Sequence, residues 1–204
     1  MSAAAANAAD AETTAPAPRN AADEPRPILF LDVDGPLNPF GTRSARRLRG
    51  YQNHRMRPAS WAEQYPDAKP LVVYLNPEHG ALLQQLPVEL VWATTWEQEA
   101  NEWIGPRIGL PELPVVLWPP EQERSEGADG RYWKTQPVAD YAAGRPFAWF
   151  DDQIGPVDRR WCAERYPAST LLQWVDPAYG LRERDLAVVE RWARLLGVPA
   201  DQKS

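Results

Sequence analysis

The chain has 204 residues, 25% of them charged and 44% apolar, with a formal net charge of −6; this is the balance of one ordinary globular domain, or one domain with tails. No stretch approaches the roughly 18 continuous apolar residues of a membrane helix, and the acidic balance excludes a wholesale nucleic-acid coat while leaving room for a local basic patch. One cysteine, Cys162, and two histidines, His54 and His79, exclude an intrachain disulfide framework, a multi-cysteine metal site and a multi-histidine cage.

Residues 1–26 are alanine, proline and small polar or charged residues, with no large apolar side chain after Met1. Such a segment cannot bury enough apolar area to offset its ordering entropy, so disorder is expected. Its alanines are broken by Asn and Asp and no basic segment precedes an apolar run, unlike a secretory signal. Together with the lone cysteine this suggests a reducing, cytoplasmic setting. The tail 199–204 is mostly polar. The expected folding unit is one domain, residues 27–198.

Strand-like apolar runs follow at Ile28–Val33, Leu71–Leu75, Leu90–Thr94, Val115–Trp118, Pro146–Phe150 and Thr170–Val175. Most are continuously apolar, as in strands buried on both faces. Between them lie helical stretches. Asn76-Pro77 suits an N-cap and first turn before residues 77–86. Further helices are expected over 97–104, 132–143, 157–165 and 183–196. The last carries Leu186, Val189, Trp192 and Leu196 at three- and four-residue steps and stops at Gly197. Alternating strands and helices indicate an α/β chain with a parallel sheet covered on both faces. Residues 36–70 break the rhythm and read as a loop or hairpin inserted after the first strand, too short for a second domain.

Ligands in parallel sheets bind beyond the carboxyl ends of the strands, and there the chain places its chemistry. Ile28-Leu29-Phe30-Leu31 runs into Asp32-Val33-Asp34-Gly35. Leu90-Val91-Trp92-Ala93 runs into Thr94-Thr95. Phe147-Ala148-Trp149-Phe150 runs into Asp151-Asp152, and Lys134 opens the helix before it. Each motif alone has a plain reading: a loop, strand-end hydrogen bonding, a solvated turn, a surface lysine. All four at strand ends, in this order, point to a site. Four carboxylates against one lysine leave a charge that a divalent cation would reduce, and an oxygen-only donor set suits Mg²⁺. An EF-hand, a P-loop, a dinucleotide loop and a G-x-S-x-G elbow all lack their motifs.

These four motifs, ILFLDVDG, LVWATTW, Lys134 in YWKTQPV, and FAWFDD, resemble those of the haloacid dehalogenase (HAD) superfamily of aspartate-nucleophile phosphotransferases. The likeness spans residues 28–152. The strings WATTWEQEAN, PFAWFDD and VDPAYGL look like a small cap-poor subgroup that includes HAD domains of bacterial RNA-repair proteins. Pro36-Leu37 departs from the family, which usually has Thr or Val before the Leu. The resemblance implies a Rossmann-like three-layer sandwich with a short flap, and a Mg²⁺-dependent phosphatase. It assigns Asp32 as nucleophile, Asp34 as general acid and base, Thr94 as a phosphoryl-oxygen donor and Lys134 as the neutralising cation. Asp32, Asp34 (through its backbone carbonyl), Asp151 and Asp152 would hold Mg²⁺. Thr95 joins the substrate-binding set. The alternative is a HAD-fold binding module without catalysis.

The expected flap carries Arg43, Arg46, Arg47, Arg49, Arg55 and Arg57 within fifteen residues, and no acidic residue from Pro36 to Ala62. Arginine forks bind phosphate bidentately, so Arg46, Arg47 and Arg49 are candidate contacts to a phosphorylated small molecule or a nucleic-acid end. A solvated charged loop is the plainer reading. Trp92, Trp149 and Trp174 are expected in the core, Trp96 either bordering the pocket after the second motif or, the plainer reading, in core packing, His79 at the surface and Cys162 as a small buried hydrophobe. Tyr51 and Trp61 either stack bases or pin the flap.

Overall fold

A computed structural model describes residues 26–40, 48–120, 124–127 and 129–197. Its centre is a four-stranded parallel sheet in the order β4-β1-β5-β6. The strands are β1 (Ile28–Leu31), β4 (Glu89–Trp92), β5 (Phe147–Asp151) and β6 (Thr170–Trp174). Leu31 pairs with Trp92 on one side and Phe150 on the other, so these strands end level with one another. Every residue of β1 and β5 is buried, as their unbroken apolar runs require.

The pleat sorts these side chains onto two faces. Leu29, Leu31, Leu90, Trp92, Ala148 and Phe150 form one core with Leu83, Ile108, Leu186, Val189 and Ala193. Those partners come from α2 (Glu78–Gln84), α3 (Gly105–Ile108) and α6 (Glu183–Leu195). Ile28, Phe30, Val91, Phe147, Trp149 and Leu172 face Val138, Ala142 and Cys162, which belong to α4 (Thr135–Ala142) and α5 (Pro156–Arg165). Each fully buried large side chain stabilises the fold by about 1.5–3 kcal/mol. The result is a helix-covered parallel sheet compatible with a Rossmann-like fold. Cys162 is buried, as expected.

The expected insertion contains a hairpin. β2 (Gln52–Met56) pairs antiparallel with β3 (Leu71–Leu75), and α1 (Ala59–Gln64) lies between them. The strand expected at Leu71–Leu75 therefore exists but belongs to this second sheet, past the expected end of the insertion at residue 70. Its burial alternates, with Val73 and Leu75 inside and Val72 exposed; five residues of apolar sequence hid the difference between a two-sided and a one-sided strand. Asn38 fixes the hairpin to the turn after β1 by accepting the Tyr74 N–H at 2.9 Å.

Two further expectations change. Val115–Trp118 makes one bridge, Trp92 to Val115, rather than a strand. Prolines at 111, 114, 119 and 120 supply no N–H to extend a ladder. The helix expected over 97–104 begins as a π-helical turn at Ala100–Ile104 that runs into α3.

Candidate active site

β1 and β5 deliver their acidic residues to one end of the sheet. Asp32 follows β1 and is 5% exposed; Asp151 closes β5 and is fully buried. Lys134, 1% exposed, lies between them. Its Nζ is 3.0 Å from Asp32 Oδ2 and 3.1 Å from Asp151 Oδ2, and it donates to the Ala93 carbonyl at the end of β4 at 3.1 Å. One ammonium thus joins three strand ends. Three donors meeting three acceptors satisfy a buried lysine, which would otherwise be costly.

Lys134 is itself held from behind. Asp158 Oδ1 accepts the Tyr132 N–H at 2.9 Å and the Thr135 hydroxyl at 2.6 Å, while its Oδ2 accepts the Gly155 N–H at 2.8 Å. The same carboxylate therefore caps α5 and fixes both neighbours of the Trp133-Lys134 pair. Sequence reasoning missed Asp158, whose only signal was its place three residues after Gly155.

The carboxylates of Asp32, Asp151 and Asp152 each offer an oxygen within 4.8 Å of the others. These hard oxygen donors could hold a divalent cation. Asp152 approaches because residue 35 is glycine. Gly35 has a φ of +92°, and a Cβ there would sit 2.7 Å from the Asp152 Cβ. Trp174, expected in the core, is 43% exposed and donates its indole N–H to the Asp152 carbonyl at 2.7 Å.

Asp34 stands apart from that trio. Its Oδ1 accepts from Asn38 Nδ2 at 2.7 Å and its Oδ2 from Trp96 Nε1 at 2.9 Å. Its side chain is thus not among the grouped ligand atoms, and the metal contact expected of Asp34 is through its backbone carbonyl. Trp96 is not simply packing; it orients this carboxylate. Thr94 is fully buried, its hydroxyl accepting the Trp96 N–H at 3.3 Å. Thr95 is exposed on the wall of the adjoining cleft. Arg49 lines a different groove, beside His79 and Arg182. Arg43, Arg46 and Arg47 lie outside the described residues. Arg57 donates to the carbonyls of Ala68 and Pro66 at 2.7 and 2.6 Å, and Trp61 to that of Lys69 at 3.2 Å, so both brace the hairpin. His79, expected at the surface, is 4% exposed.

The electrostatics follow from burial. Burial raises the carboxyl of Asp151 to about 7 against the opposing pull of Lys134. Burial, then the charge of Asp32, raises Asp152 to about 6. Asp34 is raised by burial and by Asp32, with Asn38 and Trp96 pulling the other way. Burial alone would lower Lys134, but Asp32 and Asp151 reverse the direction and keep it charged. The cluster thus carries more negative charge than its one lysine can offset.

No family model, curated protein or solved structure matches the chain. Within the site, Asp32 sits beside a permanent cation with its Oδ1 held by the Val33 N–H at 2.8 Å, a placement suited to a nucleophile. Asp34 is a second carboxyl with a raised proton affinity, suited to acid–base work.

Proposed function

We propose that the protein is a Mg²⁺-dependent phosphomonoester hydrolase working through an aspartyl-phosphate, of the HAD type that its motifs resemble. The observation that carries this reading is Lys134 bridging Asp32 and Asp151 while Asp152 completes a carboxylate trio. Asp32, Asp151 and Asp152 would hold the cation, whose hard oxygen donor set they supply. When bound, it supplies charge neutralisation for the phosphoryl oxygens.

In this reading an Asp32 oxygen attacks phosphorus and the phosphorus–ester oxygen bond breaks. Asp34 gives its proton to the departing alkoxide, which leaves as an alcohol. Water then attacks the phosphorus of the acyl phosphate, Asp34 takes its proton, and Asp32 is released with inorganic phosphate. Lys134 balances charge on Asp32 throughout. Thr94, just beyond β4, would steady a phosphoryl oxygen. The test is phosphate release from a panel of phosphosugars, nucleotides and phosphorylated oligonucleotides. Turnover with Mg²⁺ that stops in excess chelator supports the reading. No turnover on any monoester with Mg²⁺ present contradicts it.

A further inference from the structure

A cleft of about 710 Å³ opens directly beside Asp34, between the hairpin with α1 on one side and the turn after β4 on the other. It has the size of a small-ligand site. It also lies on the side where Asp34 would protonate a departing oxygen. Because Asp34 lines the cleft, an alcohol that takes its proton from Asp34 has this space beside it, and the walls then bear on the alcohol half of the substrate.

One part of those walls is aromatic and apolar, the rest polar. Trp61, Tyr65 and Trp96 line the apolar part, with Leu71, Val72 and Val73. Trp61 and Tyr65 lie one helical turn apart with ring centroids 4.5 Å apart. Trp61 is fixed by its bond to the Lys69 carbonyl, and Trp96 by its bond to Asp34. Rigid aromatic rings are a favourable surface for a flat group.

The charge of the walls sets a second condition. Asp34, Glu97 and Glu99 line the cleft, and Arg124 is the one basic residue among its described lining. Arg124 is already committed: it pairs with Glu97 at 3.0 Å, donates to the Pro119 carbonyl at 2.9 Å, and lies 5.2 Å over the Trp133 ring. Glu99 is held by the Ser60 backbone and hydroxyl. Among the described lining residues nothing offsets a second phosphate, so their charge disfavours a negatively charged leaving group.

Resting on the phosphohydrolase reading, we propose that this cleft selects phosphomonoesters whose alcohol carries a planar aromatic ring and no further charge. Aryl phosphates and nucleoside monophosphates share that chemistry. Phosphorylated strand ends, whose leaving group carries further phosphates, do not.

The experiment measures equilibrium binding with Mg²⁺ by calorimetry, using 1-naphthyl phosphate, adenosine monophosphate, glycerol 2-phosphate and a 5′-phosphorylated oligonucleotide. Turnover of each is read in parallel. The proposal expects at least one of the two ring-bearing monoesters to bind about tenfold or more tighter than glycerol 2-phosphate, and which one does so distinguishes aryl from nucleoside alcohols. Trp61→Ala should reduce that preference to about threefold or less while leaving glycerol 2-phosphate unchanged. Tyr65→Ala, at a more exposed position, repeats the test should Trp61→Ala not fold. Equal binding of all three small monoesters overturns the proposal, as does a ring preference that both variants retain. Tighter binding of the oligonucleotide than of adenosine monophosphate overturns it too. The two readings fail separately: ring preference without turnover of any probe keeps the cleft and removes the hydrolase, whereas turnover without ring preference does the reverse.

Discussion

Lys134 is the residue on which the site depends. It is buried and its ammonium touches Asp32, Asp151 and the Ala93 carbonyl. Removing one partner of a buried ion pair leaves the other charges uncompensated. Lys134→Met, close in length but neutral, should therefore lower the unfolding free energy at pH 7.5 by about 3–5 kcal/mol, measured by urea titration without divalent cation. A change under about 1 kcal/mol would mean that the triad is not desolvated as described. His79 makes a separate prediction. Burial lowers its pKa to about 4, against a Leu181 backbone bond that pulls upward, and its Nδ1 has no partner. The folded chain keeps it neutral while the unfolded chain protonates near 6.5. Its contribution is present above pH 6.5 and is lost as pH falls toward 4, by up to about 3 kcal/mol. Asp151 and Asp152 act in the opposite sense: their raised values favour folding at low pH, and that contribution is lost as pH rises through about 6 and 7. The difference in stability between wild type and His79→Phe, followed from pH 7.5 to 4.5, isolates the histidine and should shrink as pH falls.

At the scale of elements, helix α2 meets α3 with almost no clearance. A Cβ on Gly80 would lie 1.9 Å from the Ile108 carbonyl oxygen, a clash with backbone rather than with a movable side chain. Gly80→Ala should destabilise the fold by more than 2 kcal/mol, roughly the upper range of ordinary substitutions, although alanine is the better helix former. A melting temperature equal to wild type would refute the close packing. Elements differ in how well their residues announced them. The inner strands β1 and β5 of the parallel sheet were legible because burial on both faces leaves unbroken apolar runs, Ile28–Leu31 and Phe147–Phe150. The same argument failed at Leu71–Leu75, where an antiparallel partner, Gln52–Met56, is too polar to be recognised by apolarity. It failed at Val115, where neighbouring prolines withhold donors. The grouping of Asp32, Lys134 and Asp151 was legible because strand ends share a rim of the sheet. The roles of Asn38, Trp96 and Asp158 were not, since each acts through a contact between distant segments that no local pattern encodes. The surface position expected for His79 failed for the same reason: it packs edge-on to Tyr51 with ring centroids 5.6 Å apart.

For the whole molecule, the sheet sets Asp32 and Asp151 against one lysine with Asp152 beside them, and the hairpin with α1 adds a cleft on the Asp34 side. Among the described residues no helix is long and apolar enough to cross a membrane. The excess negative charge of the trio predicts a response to cations. Mg²⁺ should raise the melting temperature of the wild type, since ligands that bind only the folded state stabilise it, and should support turnover. Ca²⁺ takes more and longer oxygen contacts, so it should raise the melting temperature yet inhibit turnover. Full activity in excess chelator would contradict this. The central claim is that Asp32 forms a covalent bond to phosphorus, and its most direct measurement is phosphate release with Mg²⁺ by wild type and Asp32→Asn. The nearly isosteric variant should keep its circular dichroism while losing turnover by more than about 10³-fold. A folded Asp32→Asn variant that hydrolyses phosphomonoesters at the wild-type rate would contradict it.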